Sequence, residues 1–70
     1  MLEVDTCGFS CPQPVLMFHQ AIQKDNPTSL VVIVDNQASL ENVSRAAAKK
    51  GYQVTATKVD SSVTRLEMHK

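Results

Sequence analysis

The sequence predicts an α+β fold: a two-layer α/β sandwich in the order βαβαββ, with two helices on one face of a four-stranded mixed sheet. Three observations predict it. Residues 30–34 form an unbroken run of leucine, valine and isoleucine, which is how a strand central to a sheet reads. That run lies between two stretches whose apolar residues recur at helical spacing. Two polar, β-branched segments then close the chain. Packing both helical stripes on one face of the sheet is the simplest way to bury them.

Each element has a local reason. Residues 2–6 alternate apolar and polar, as a short half-buried strand does. Residues 6–10 are a tight connection around Gly8. Pro12 and Pro14 then fall where a helix can begin, because the N–H groups of a first turn have no intrahelical partner. Val15, Phe18 and Ile22 share a helical face with Ala21 beside them, and the helix should end near Asp25, before Pro27. Asp35 and Asn36 are candidate caps for the second helix, whose core stripe is Leu40, Val43 and Ala47. Glu41 and Arg45 are spaced as a four-apart ion pair, Lys49 and Lys50 suit the negative end, and Gly51 is the expected left-handed stop. Residues 52–59 and 63–68 read as two strands joined by a turn at Asp60-Ser61. The far face of the sheet should be polar, carrying threonines, Gln53, Lys58 and Arg65.

Seventy residues make one domain, residues 1–70, with room for a single core and little for a deep substrate pocket. Chemistry is therefore expected on an exposed rim, with a partner supplying the rest. Seven basic and seven acidic side chains cancel, which gives no long-range attraction to nucleic acid or to an anionic membrane. The longest apolar run, residues 30–34, is far short of a membrane span, and residues 1–5 lack the character of a signal peptide. The cytoplasm is the expected compartment. There Cys7 and Cys11, the two cysteines, should both be free thiols.

The chemically informative segment is Gly8-Phe9-Ser10-Cys11-Pro12-Gln13-Pro14. Cys11 is expected at the N-cap, where the positive end of a helix favours a thiolate. Neither Pro12 nor Pro14 has an N–H, so the cap bond of a Cys11 thiolate should come from the N–H of Gln13. Cysteine is not a favoured N-cap, which makes a purely structural role an odd choice. A hydrolase would need a base beside the nucleophile. His19 is eight residues on, ~12 Å along a helix axis, and His69 is at the far end of the chain. A thiol with no base and no pocket suits carrying a group rather than transforming one.

Cys7 is four residues from Cys11, not at the Cys-x-x-Cys spacing of thiol oxidoreductases. It reads as a packed residue at a strand end, with a transient bridge to Cys11 as the functional alternative. Two cysteines and two scattered histidines make no zinc pattern, so no metal is expected. Leu16 and Met17 read as core-edge residues or as an apolar rim that a partner covers. Lys49, Lys50, Lys58 and Arg65 read as solvated charges, with one tyrosine and no tryptophan to stack on bases.

The pattern Asp5-x-x-Gly8-Phe9-x-Cys11-Pro12-Gln13-Pro14-Val15 resembles the signature of the TusA/SirA/YedF-like sulfur-carrier family. The resemblance runs through the apolar strand followed by Asp35 to Gly51 after the second helix. The segments Val34-Asp35-Asn36, Glu41-Asn42-Val43-Ser44-Arg45 and Lys50-Gly51-Tyr52 are most similar to the N-terminal domain of YedF-type proteins, which are associated with selenium metabolism. The chain departs from that pattern at Cys7, where relatives usually carry another residue, often basic. It departs again at His19 and Gln20, about where relatives often carry lysine or arginine.

The resemblance implies a βαβαββ sandwich like the C-terminal domain of a bacterial translation initiation factor. It implies a sulfur (or selenium) carrier and not a stand-alone enzyme, with Cys11 as the reacting residue and Asp5, Gly8, Pro12, Gln13 and Pro14 as its support. A cysteine desulfurase or other sulfur donor protein would load it, and a downstream acceptor protein would unload it. No resident cofactor is implied, the persulfide being transient cargo. Because YedF-type proteins have a second domain, the chain reads as a fragment or a stand-alone paralogue. Two other readings are a redox-sensing or regulatory module using the same cysteine and, by fold analogy alone, an RNA-binding domain.

Overall fold

The computed structural model describes residues 2–9 and 13–70. Its elements run β1 (Leu2–Asp5), α1 (Gln13–Asp25), β2 (Ser29–Val34), α2 (Gln37–Lys49), β3 (Gln53–Lys58) and β4 (Thr64–His69). The sheet order is β1-β2-β4-β3. β1 pairs parallel to β2, and β4 pairs antiparallel to both β2 and β3. The expected βαβαββ sandwich is therefore the fold, and the apolar 30–34 run does lie on a central strand.

Strand alternation decides which residues enter the core. Leu30, Val32 and Val34 share a face with their register partners Met68, Leu66 and Thr64. On that face the buried cluster joins Leu30, Val32, Val34, Leu66 and Met68 to Phe18 of α1, Val43 and Ala47 of α2, and Tyr52. Val15 and Ile22 pack at its edge together with Leu2, Val4 and Leu40. Val31 faces the other way between Glu3 and Glu67 in register, yet is fully buried. Neighbours on both sides of a central strand leave little solvent access even to its polar side.

The helix ends follow local chemistry. Asn36 is the N-cap of α2, extended in backbone, with its side-chain oxygen accepting from the Ser39 N–H at 2.8 Å. At the other end Gly51 has φ +90. Its N–H donates to Ala48 O at 3.1 Å and that of Tyr52 to Ala47 O at 3.0 Å, the paired bonds of a Schellman stop. α1 ends at Asp25 and is followed by Asn26, at φ +44, directly before Pro27. Asparagine tolerates that conformation better than other side chains do.

Several expectations need correction. The first strand stops at Asp5, and Thr6 is buried, its N–H and hydroxyl both donating to Ile33 O. Tyr52 does not begin a strand but lies in the core, edge-on to Phe18, with its hydroxyl donating to Pro27 O at 2.6 Å. The β3–β4 connection is longer than a two-residue turn: Val59 N–H donates to Val63 O, and Asp60 accepts from the N–H groups of Ser62 and Val63. Lys58 shares the helix side of the sheet with Thr64, because a strand's parity, not its polarity, sets the face. The Glu41–Arg45 pair does not close. Among the described residues the ion pair formed is Arg65 to Glu3 at 3.6 Å, between strands on the open face.

Candidate functional site

The site is built where β1 hands the chain to α1. β1 and β2 run parallel, so their C-terminal ends finish side by side, with Asp5 beside Ile33. Thr6 is bonded to Ile33 O, which fixes the point where the chain leaves the sheet. Asp5 then accepts from the Cys7 N–H at 3.0 Å, and the Phe9 N–H donates back to Thr6 O at 3.1 Å. Residues 6–9 thus form a tight turn with Gly8 in its third position at φ +87, where a side chain would strain the backbone.

The turn is latched from the end of the neighbouring strand, β2. The Gly8 N–H donates to Asp35 Oδ2 at 2.8 Å, and the Asn36 side-chain amide donates to Asp35 Oδ1 at 3.1 Å. The Gly8 N–H is the larger of these influences and, with the Asn36 amide, holds the Asp35 carboxyl below its ordinary pKa. Asp35, considered from sequence only as a cap, therefore fastens the loop that leads to residue 11. Asn36 alone caps α2, which leaves the neighbouring carboxylate spare, and that redundancy was the available signal.

On the helix side, Gln13 opens α1 and is exposed, while Pro14 is fully buried. Pro14 is thus a packing residue as well as a helix starter. Cys11 and Pro12 lie outside the described residues, and with them the N-cap bond from Gln13 to the Cys11 sulfur. On either side of them two large apolar side chains stand out in solvent: Phe9 is 46% exposed and Leu16 48%.

Cys7 is a partly buried free thiol. Burial is the first cause that pushes its pKa up, followed by its hydrogen bond to Asp5 and the negative charges of Asp5, Asp35 and Asp60. Each of these disfavours the thiolate, which is the nucleophilic form. His19 lies on α1 with its ring 5.4 Å from that of Phe18, and His69 ends β4. Among the described residues no group of three or more histidine, cysteine, aspartate or glutamate side chains could hold a metal ion, and no helix is long and apolar enough to cross a membrane.

Residues 2–70 match the family model described as Sulfurtransferase TusA. The chain belongs to the TusA family. A Methanocaldococcus jannaschii protein named as a candidate sulfur carrier is 34% identical to it over 71 residues, covering 100% of this chain and 95% of that protein. The crystal structure of a SirA-like protein from Desulfitobacterium hafniense superposes with a TM-score of 0.86 at 28% identity, covering 99% of this chain and 96% of the other. The TusA match spans both the latched turn and the sheet that holds it.

Proposed function

We propose that this TusA-family chain is a cytoplasmic sulfur carrier that takes a persulfide onto Cys11 from a desulfurase-type protein and relays it to an acceptor protein. The observation that carries the reading is the family match over residues 2–70 together with Cys11-Pro12-Gln13-Pro14 at the junction of the first strand and α1. The surroundings support it. The turn before Cys11 is held by Asp35, and the helix after it is anchored by buried Pro14. Exposed Phe9 and Leu16 offer a partner apolar surface on both sides.

The transfer is an exchange at sulfur. The Cys11 thiolate attacks the outer sulfur of the donor's persulfide. A bond from Cys11 Sγ to that sulfur forms as the donor's S–S bond breaks, and the donor cysteine leaves as a thiolate with the electron pair. The transferred sulfur keeps its proton, and nothing is oxidised or reduced overall. Release is the same step with an acceptor thiolate attacking and Cys11 leaving. Selenium in place of the outer sulfur would follow the same course, as the likeness to YedF-type proteins implies.

The test is intact-protein mass spectrometry after incubation with a cysteine desulfurase and cysteine. One added sulfur, removable by a reductant, is expected on the wild type and absent from Cys11→Ser. That variant should stay folded, with stability changed by no more than about 1 kcal/mol, because serine is the better N-cap. Loading of Cys11→Ser through Cys7, or no loading of the wild type, would overturn the proposal. A disulfide or sulfenic acid formed on Cys11 without any sulfur loading would favour the redox-sensing reading instead.

A further inference from the structure

Zero net charge conceals a segregation of charge. The carboxylates of Asp5, Asp35 and Asp60 all act on the thiol of Cys7, so acidic groups gather at the turn end of the sheet. Lys58 and Arg65 share that end, whereas Arg45, Lys49 and Lys50 gather elsewhere. Between α1 and α2 runs a groove of about 460 Å³ whose described lining includes Val15, His19, Arg45, Ala46, Lys49 and Lys50. No carboxylate is among its described lining residues. Val15 and Ala46 give it an apolar floor at the edge of the core, and the basic side chains come almost wholly from the last two turns of α2 and its cap.

Lysines at the end of a helix have an ordinary role, since they complement its negative pole. That role explains Lys49 and Lys50 but not why they share an apolar trough with Arg45 and His19. Nor does it explain why the four basic residues first considered together do not form one patch. Lys58 lies in a separate recess with Asp35 at the start of α2, and Arg65 pairs with Glu3 on the open face. The groove is therefore a distinct surface, with an apolar strip under a one-sided positive rim. An amphipathic helix with carboxylates beside its apolar stripe is the complement of that arrangement. Nucleic acid fits it less well, because no phenylalanine, tyrosine or tryptophan is among the described lining residues to stack on a base.

We propose that the α1–α2 groove docks an acidic, amphipathic segment of a partner protein, gripping the carrier beside Cys11. The groove begins at Val15, four residues beyond Cys11, and Leu16 stands exposed next to it. A partner seated there lies next to the segment that bears the cargo. This assignment rests on the carrier reading for its purpose, while the surface it names is tested separately.

The experiment is a titration of the isotope-labelled full chain, followed by amide chemical shifts at low and moderate salt. The probe is a short synthetic helix carrying leucines along one face and glutamates on both sides of that face. Its controls are the same helix with lysine in place of each glutamate, and a single-stranded RNA. Binding of the acidic helix is expected, with shifts centred on Val15, His19, Arg45, Ala46 and Lys49. It should weaken with salt and fall about tenfold in affinity in the Arg45→Glu/Lys49→Glu variant. Arg45→Ala/Lys49→Ala, which removes charge without reversing it, should lose part of the affinity and guards against misfolding of the reversal. No binding, equal binding of the basic helix, preference for RNA, or shifts centred on the open sheet face would each overturn the proposal. Loading of wild-type Cys11 by inorganic polysulfide, read by mass, reports on the carrier reading alone, so failure of one is distinguishable from failure of the other.

Discussion

At the scale of single residues, Asp35 and Asn36 divide two tasks that look alike in sequence. Asn36 points forward and caps α2 through Ser39, whereas Asp35 points back and holds Gly8. The Asp35 pKa is lowered by that N–H, so the folded state favours the carboxylate. The sign follows: this contribution is full above the ordinary aspartate value and is lost as pH falls through the lowered one. Asp35→Asn keeps an acceptor for Gly8 but removes the titration. Its acid unfolding should be less steep than that of the wild type, while Asp35→Ala should also speed amide exchange at Gly8 in neutral solution. Unchanged Gly8 exchange in the alanine variant would show that the latch does not hold the turn. The two cysteines also separate at this scale. Cys7, partly buried and hydrogen-bonded to Asp5, has its pKa raised. Near neutral pH an alkylating reagent should therefore modify Cys11 well before Cys7, as peptide mapping would record, and equal rates would remove the argument for an activated Cys11.

At the scale of elements, the start of α1 concentrates the functional argument. Pro14 is buried in the first turn and also lacks an N–H. Pro14→Ala should lower stability by about 1–2 kcal/mol through the void it leaves. It also restores an N–H at the position where a capping group usually finds its partner. The Cys11 pKa should then fall, while sulfur delivery slows, because a more stabilised thiolate is a weaker nucleophile and a looser turn presents it less consistently. Thiolate absorbance across pH, paired with single-turnover transfer, reads both changes. A raised pKa would mean that the prolines themselves aim the donors. The Schellman stop at Gly51 has a comparable positional logic at the other helix, since it brings Tyr52 down onto the core at once.

At the scale of the whole molecule, one small core supports everything. A chain of this length has a total stability of roughly 4–10 kcal/mol. Phe18 is fully buried at the centre of the cluster and meets the Tyr52 ring at 6.1 Å. Phe18→Ala should cost about 3–5 kcal/mol, a large share of that total. Chemical denaturation should show this variant close to its folding threshold. A loss below about 1 kcal/mol would mean that the helix layer repacks freely around the site.

The amino-acid sequence by itself determined the element order, the central placement of residues 30–34, the stop at Gly51 and the motif around Cys11. Periodicity, proline, glycine and capping chemistry act within a few residues, so each is readable along the chain. Only the tertiary structure decided the strand order β1-β2-β4-β3, the burial of Val31 and Tyr52, and the side of the sheet taken by Lys58. These depend on which distant segments become neighbours. The same holds for the site. Asp35 reaches Gly8 across 27 residues of sequence because β1 and β2 lie parallel and end together. The basic groove exists because α1 and α2 pack side by side on one face of the sheet, bringing Val15 and His19 opposite Arg45 and Lys49. Local chemistry marks the candidate reacting residue, while the pairing of remote elements builds the latched turn before it and the groove proposed to dock a partner.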